Sequence, residues 1–137
     1  MKLTRTIIYA IQATVEVAKA RTNQPISCPK LAQNGNMPTR FLLQILRTLV
    51  SHGVLRSARG VGGGYYLSRS PNQITLLDII GPFEEASAIT DSQFTALSSS
   101  IREPVILALK RSGEAASREL ERVTVFDLLY NDVTQTA

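Results

Sequence analysis

Cysteine, histidine, tryptophan and long apolar runs are scarce or missing in this 137-residue chain, and each scarcity closes a class of function. One cysteine, Cys28, has no partner for an intrachain disulfide and cannot supply the several thiolates of a structural zinc or iron–sulfur site. Any nucleophile–base pair would have to join Cys28 to His52, the one histidine, and neither sits in a catalytic motif. No segment is apolar over transmembrane length and no signal-peptide pattern is present, so the expectation is a soluble, cytoplasmic protein without a membrane partner. Aromatic residues make up 6% of the chain, and only Tyr65 and Tyr66 could offer bases a stacking surface, which disfavours single-stranded RNA. The reading is a non-enzyme with no cofactor and no metal.

Acidic residues are also nearly absent from one half. Residues 1–73 carry ten Lys/Arg against the single acid Glu16, a balance of +9, whereas residues 74–137 carry five basic and ten acidic residues, a balance of −5. A basic half joined to an acidic half suggests one part that meets phosphate and another with a different task.

What the basic half does contain is the stretch Arg56-Ser-Ala-Arg59-Gly60-Val-Gly62-Gly63-Gly64-Tyr65-Tyr66-Leu67-Ser-Arg69. It reads as two short strands joined by a glycine-rich tip that can turn tightly and approach another surface closely. The tip is neither G-x-G-x-x-G, because position 65 is Tyr, nor a P-loop, because no Lys-Ser/Thr follows.

Upstream, Ile7, Ile8, Ile11, Val15 and Ala18 mark one face of a helix over 4–20. Ser27 suits the N-cap of a short helix from Cys28 to Gln33, and Asn34-Gly35-Asn36 signals a turn. A second helix then begins at Pro38. Along it Phe41, Leu42, Ile45, Leu46 and Leu49 are expected in the core, while Arg40, Gln44, Arg47 and Ser51 share the opposite face with Thr39 at its entrance. Helix, turn, helix and basic hairpin together outline a winged helix-turn-helix, for which DNA is the natural polyanion.

Ile74-Thr75-Leu-Leu-Asp78 and Val123-Thr124-Val-Phe-Asp127 share one helix-start pattern, a capping box with an apolar residue before the cap. Residues 84–103 are polar and weakly periodic. From Pro104 to Glu121 a longer helix carries the seam Ile106, Leu109, Gly113, Ala116 and Leu120, spaced like a coiled-coil stripe. Gly113 either lets this helix approach a symmetry mate closely or breaks it near Ser112-Gly113.

Met1-Lys-Leu-Thr4, Leu31-Ala32, the Pro38–Leu49 helix, Gly53-Val54-Leu55, Arg59-Gly60, Gly62-Gly63-Gly64-Tyr65 and the run Pro71 to Ile80 resemble the Rrf-type (IscR/NsrR/CymR-like) bacterial regulators. The resemblance covers residues 1–81 closely and 104–131 loosely. It implies a mainly α fold with a small β-hairpin wing, a winged helix-turn-helix plus a long C-terminal dimerisation helix. It divides the chain into 1–82 for DNA binding, 83–103 as a connection or sensor region, and 104–137 for a dimerisation helix and a C-terminal capping helix. It implies a homodimer on a palindromic operator in double-stranded DNA, acting as a repressor. Cluster-binding relatives carry three cysteines in the region of 84–103, and this chain has none there. A cluster-free member answering to another signal, a small molecule or a protein effector, is therefore expected.

In this reading Thr39, Arg40, Gln44 and Arg47 enter the major groove. Arg59 with Gly60, Gly62 and Gly63 reaches the minor groove, and Ser27, Lys30, Arg56 and Arg69 touch phosphate. The dimer interface uses Ile106, Leu109, Gly113, Ala116 and Leu120. Cys28, at a helix start beside Lys30, is either a redox sensor with a lowered thiol pKa or a small residue that happens to be cysteine. The competing class is a winged-helix module that binds a protein and not DNA.

Overall fold

Thr4 opens the first helix, its Oγ1 accepting the Ile7 N–H at 3.2 Å, and α1 (Arg5–Lys19) follows in a computed structural model that describes residues 2–20, 24–84 and 91–136. Ala10 and Ala13 are fully buried on α1, and such small side chains let neighbouring elements close in from several directions. Four further helices or strands pack against it: α2 (Cys28–Gly35), α3 (Thr39–Ser51), α4 (Leu76–Ile80) and the strand β2 (Gly64–Leu67), and α6 (Val125–Thr136) completes the ring. Thr14, also fully buried on α1, satisfies its hydroxyl by donating to the Ala10 carbonyl at 2.8 Å.

Local chemistry places the helix boundaries. Ser27 Oγ accepts the Lys30 N–H at 3.3 Å to cap α2, and Asn36 ends it in the left-handed conformation at φ 52°. The buried Met37 then leads into α3. Leu42, Ile45, Leu46 and Leu49 form its buried face, as the spacing predicts. Phe41 does not join them, for it is 65% exposed. At about 100° per residue it sits at the margin of the buried face, where the neighbouring elements do not reach.

The strand β1 (Leu55–Ala58) pairs antiparallel with β2, Leu55 opposite Leu67 and Ala58 opposite Gly64. Ile26 adds one antiparallel bridge beyond β2, exchanging hydrogen bonds with Tyr65 at 2.9 and 2.8 Å. The wing is thereby tied to the residue just before the α2 cap.

The two capping boxes turn out to face each other. Asp78 Oδ2 accepts the Thr75 N–H at 2.9 Å, and Asp127 Oδ2 accepts the Thr124 N–H at 2.9 Å. Thr75 and Thr124 then form an antiparallel bridge, with Leu76 N–H to Val123 O at 2.9 Å and Val125 N–H to Ile74 O at 2.8 Å. Val125 is fully buried, so α6 belongs to the same core as α1 and the helix-turn-helix.

The long helix α5 (Ser99–Glu121) has 23 residues, about 34 Å, and starts before Pro104, which lies inside it. Arg102 holds its first turn by donating to the Phe94 and Leu97 carbonyls at 3.1 and 2.9 Å. The helix runs unbroken through Gly113, so a break at Ser112-Gly113 is excluded. Its packing within the chain is against α4, and no α5 side chain is buried. The fold is a winged helix-turn-helix followed by a long, largely uncovered helix.

Candidate nucleic-acid interface

The candidate surface begins with a helix whose apolar half is consumed by the core. Once Leu42, Ile45, Leu46 and Leu49 are buried, helical geometry turns Arg40, Gln44, Arg47 and Ser51 outward, and all four are exposed together with Thr39. Among the described residues, the guanidinium groups of Arg40, Arg47, Arg56 and Arg59 make no ion pair or hydrogen bond with the protein. They are cations with unused donors. At the far end of α3, His52 caps the helix, its Nδ1 lying 3.0 Å from the Thr48 carbonyl.

The hairpin tip carries the second part of the surface. Gly60 and Gly62 adopt φ of 95° and 78°, conformations that a side chain would strain. Gly63 N–H closes the turn onto Gly60 O at 3.0 Å. Arg59 is exposed beside this turn, and Val61 stands fully exposed at its apex. Ser27 and Lys30 add an exposed hydroxyl and ammonium at the start of α2.

The single acid of the basic half does not dilute this charge. Glu16 is 7% exposed and accepts from Gln12 Nε2 at 2.9 Å and Lys19 Nζ at 3.1 Å. Its carboxylate is thus engaged by partners on α1 itself.

Two assigned residues are placed differently. Arg69, assigned to phosphate, is engaged by partners within the chain while 35% of its side chain stays exposed. Its guanidinium donates to Gln73 O at 2.9 Å, Gly53 O at 3.0 Å, Ser68 Oγ at 3.3 Å and Asp78 Oδ2 at 2.9 Å. A fork of fixed donors suits this task, joining the end of α3, the end of β2 and the start of α4. Cys28 is half-buried against the core, and burial pushes its thiol pKa up, opposite to the lowering that its position at a helix start suggested. Alkylation of Cys28 by iodoacetamide is therefore expected to run slower than that of free cysteine at neutral pH and to rise as the pH is raised. Thiol titration by mass spectrometry would show this, and rapid labelling at pH 7 would contradict it.

The α5 seam is half-buried at Ile106, Ala116 and Leu120 and open at Leu109, 45% exposed. A side chain at Gly113 would meet nothing within 4 Å.

These features match known proteins. A family model described as Rrf2, iron-dependent transcriptional regulator, matches residues 3–131. The chain belongs to the Rrf2 family. Within that family of winged-helix transcriptional regulators, it is 36% identical to the HTH-type regulator slr0846 of Synechocystis over 86 residues, 63% of this chain and 58% of that protein. It is 32% identical over 97 residues to CymR of Bacillus subtilis, covering 68% of this chain and 70% of that one. The chain thus matches little more than half of the first of these relatives and about two thirds of the second. The structure of T. potens IscR superimposes with a TM-score of 0.73 at 26% identity, covering 96% of this chain and 88% of that chain.

The family description names iron, and the donor set of this Rrf2 chain does not fit a thiolate-held iron centre. The sequence holds one cysteine, and no group of three or more His, Cys, Asp or Glu among the described residues could hold a metal ion. Part of the 84–103 connection, residues 85–90, lies outside the described residues, and Glu85-Ala-Ser-Ala-Ile-Thr90 offers neither thiol nor imidazole. Among the described residues no helix is long and apolar enough to cross a membrane.

Proposed function

We propose that this protein is a cytoplasmic repressor that binds a palindromic operator as a homodimer and responds to a signal other than an iron–sulfur cluster. The observation that carries this reading is the row of outward guanidinium groups on α3 and the wing with no partner among the described residues. Thr39, Arg40, Gln44 and Arg47 read base edges in the major groove, where Arg and Gln can each make bidentate contacts. Arg59 and the glycine tip enter the adjacent minor groove, and Ser27, Lys30 and Arg56 set the register on phosphate. Arg69 acts from within by holding the wing against α3 and α4.

The homodimer reading rests on α5. A 23-residue helix with no buried side chain leaves Leu109 of the seam 45% exposed beside Gly113, and a second copy crossing at Gly113 would cover that seam. Gly113→Leu is expected to give a monomer by light scattering. The space around Gly113 is open and Leu is the better helix former by about 1 kcal/mol, so the variant keeps its fold and the loss reports on the interface alone. A dimeric variant would remove Gly113 from the interface.

The direct test is fluorescence anisotropy of a labelled duplex selected from a randomised library, set against a random duplex at two salt concentrations. Selective binding with a steep salt slope is expected, because each neutralised phosphate releases a counterion. Absence of binding even at low salt would favour a protein-interaction module on the same fold.

A further inference from the structure

The polar stripe on α3 is framed by two exposed apolar side chains that the core does not use. Phe41 is 65% exposed and Leu43 is 38% exposed. Taking Arg40 as reference and about 100° per residue, Phe41 lies about 100° to one side and Leu43 about 60° to the other. Arg40, Gln44 and Arg47 run between them, so the helix presents donors down the middle and hydrocarbon along both margins. Both residues lie in the N-terminal half of a 13-residue helix, the part that meets base edges when a helix enters the major groove.

We infer that Phe41 and Leu43 are specificity-determining residues that read the 5-methyl groups of thymine. The inference rests on the DNA-binding reading above. The major groove presents one apolar group to a protein, the thymine methyl, and it stands next to the acceptors that Arg and Gln recognise. The surrounding charge selects this occupant. An apolar surface interleaved with the unpaired guanidinium groups of Arg40 and Arg47 repels another basic face and suits a polyanion that also carries methyl groups. Operator half-sites would therefore carry thymine at the margins of the segment covered by α3, beside the bases contacted by Arg40, Gln44 and Arg47.

The test uses the full chain and duplexes selected from a randomised library, with each thymine of a half-site replaced in turn by deoxyuridine, which differs only by the missing methyl. Burial of one methyl-sized group is worth about 0.8 kcal/mol, so one or more replacements are expected to weaken binding about fourfold. The salt slope should not change, because no phosphate contact is lost. In Phe41→Ser or Leu43→Ser the same replacement should cost nothing at that residue's own thymine while the other effect persists. Because both side chains are exposed, these variants should melt with the wild type. The inference fails if selected half-sites hold no fixed thymine, or if deoxyuridine leaves wild-type affinity unchanged. It fails equally if the methyl effects survive both substitutions, or if the substitutions dissociate the dimer without altering any methyl effect. Loss of the underlying DNA-binding reading would look different: no duplex, thymine-bearing or not, would be bound selectively.

Discussion

Arg40→Ala combined with Arg47→Ala is expected to lower affinity for a selected duplex by roughly 100-fold or more and to erase its preference over random sequence. Each guanidinium can place two donors on one guanine edge, a contact that carries about 1–3 kcal/mol of discrimination. Seven residues apart, they sit two turns along α3, about 10 Å, so they address different base pairs and their losses should add. Neither side chain bonds to anything in the described structure, so the double variant should keep the wild-type melting temperature within a few degrees. Arg47→Lys separates charge from geometry. It preserves a cation near the phosphates but not the fork that fits a base edge, so selectivity should fall while the salt slope remains. Anisotropy titrations at two salt concentrations measure both quantities. Undiminished selectivity in the double variant would remove α3 from the recognition surface.

A large structural effect is expected at Gly64. A Cβ there would stand 2.3 Å from the Ile26 carbonyl carbon and oxygen and 2.7 Å from Ser27 N, all of them backbone atoms. Backbone cannot rotate away as a side chain can, so Gly64→Ala must break the Ile26–Tyr65 pair or displace β2. Loss of that bridge frees the residue before the Ser27 cap and loosens α2 together with the wing. The expected destabilisation exceeds about 2 kcal/mol, a fall of several degrees or more in Tm for a domain of this size. Gly62→Ala is the matched control, because its φ of 78° is strained for alanine but the space around it is open. That variant should cost about 1 kcal/mol, and equal losses at both positions would mean that close backbone approach is not the role of Gly64.

Most of the architecture could be read from local chemistry. Ser27, Thr75 and Thr124 read as N-caps because a short hydroxyl can accept from an amide two or three residues on, and that requirement is written in the chain itself. The α3 stripe was legible for a similar reason, since helical periodicity sorts residues into faces without reference to any partner. The imbalance of ten basic residues against one acid is likewise a property of composition, and it marks the first half as the cationic one. The early start of α5 was not legible, because Pro104 is a natural first-turn residue and the backbone bond from Arg102 N–H to Ser98 O shows that the helix has already begun.

The remaining differences concern contacts between residues far apart in the chain. Arg69 looked like one more phosphate ligand among arginines, and its engagement depends on Gly53, Gln73 and Asp78 converging on it. The likeness between the two Thr-x-x-Asp segments was visible, but their mutual bridge needs the end of α5 to return beside α4. Cys28 has the sequence context of an activated thiol, yet desolvation by the core pushes its pKa up. Phe41 is apolar at a position that periodicity assigns to the core, and only the extent of α1, α2 and β1 around α3 leaves it uncovered. By itself the sequence determined the starts of α2, α4 and α6, the wing, the cationic residues of the first half and the lack of thiolates for a cluster, since each follows from residue type and short-range spacing. The tertiary structure alone decided which arginine is consumed internally and which apolar residues face outward, because burial and hydrogen-bond partners are set by segments that meet only when the chain is folded.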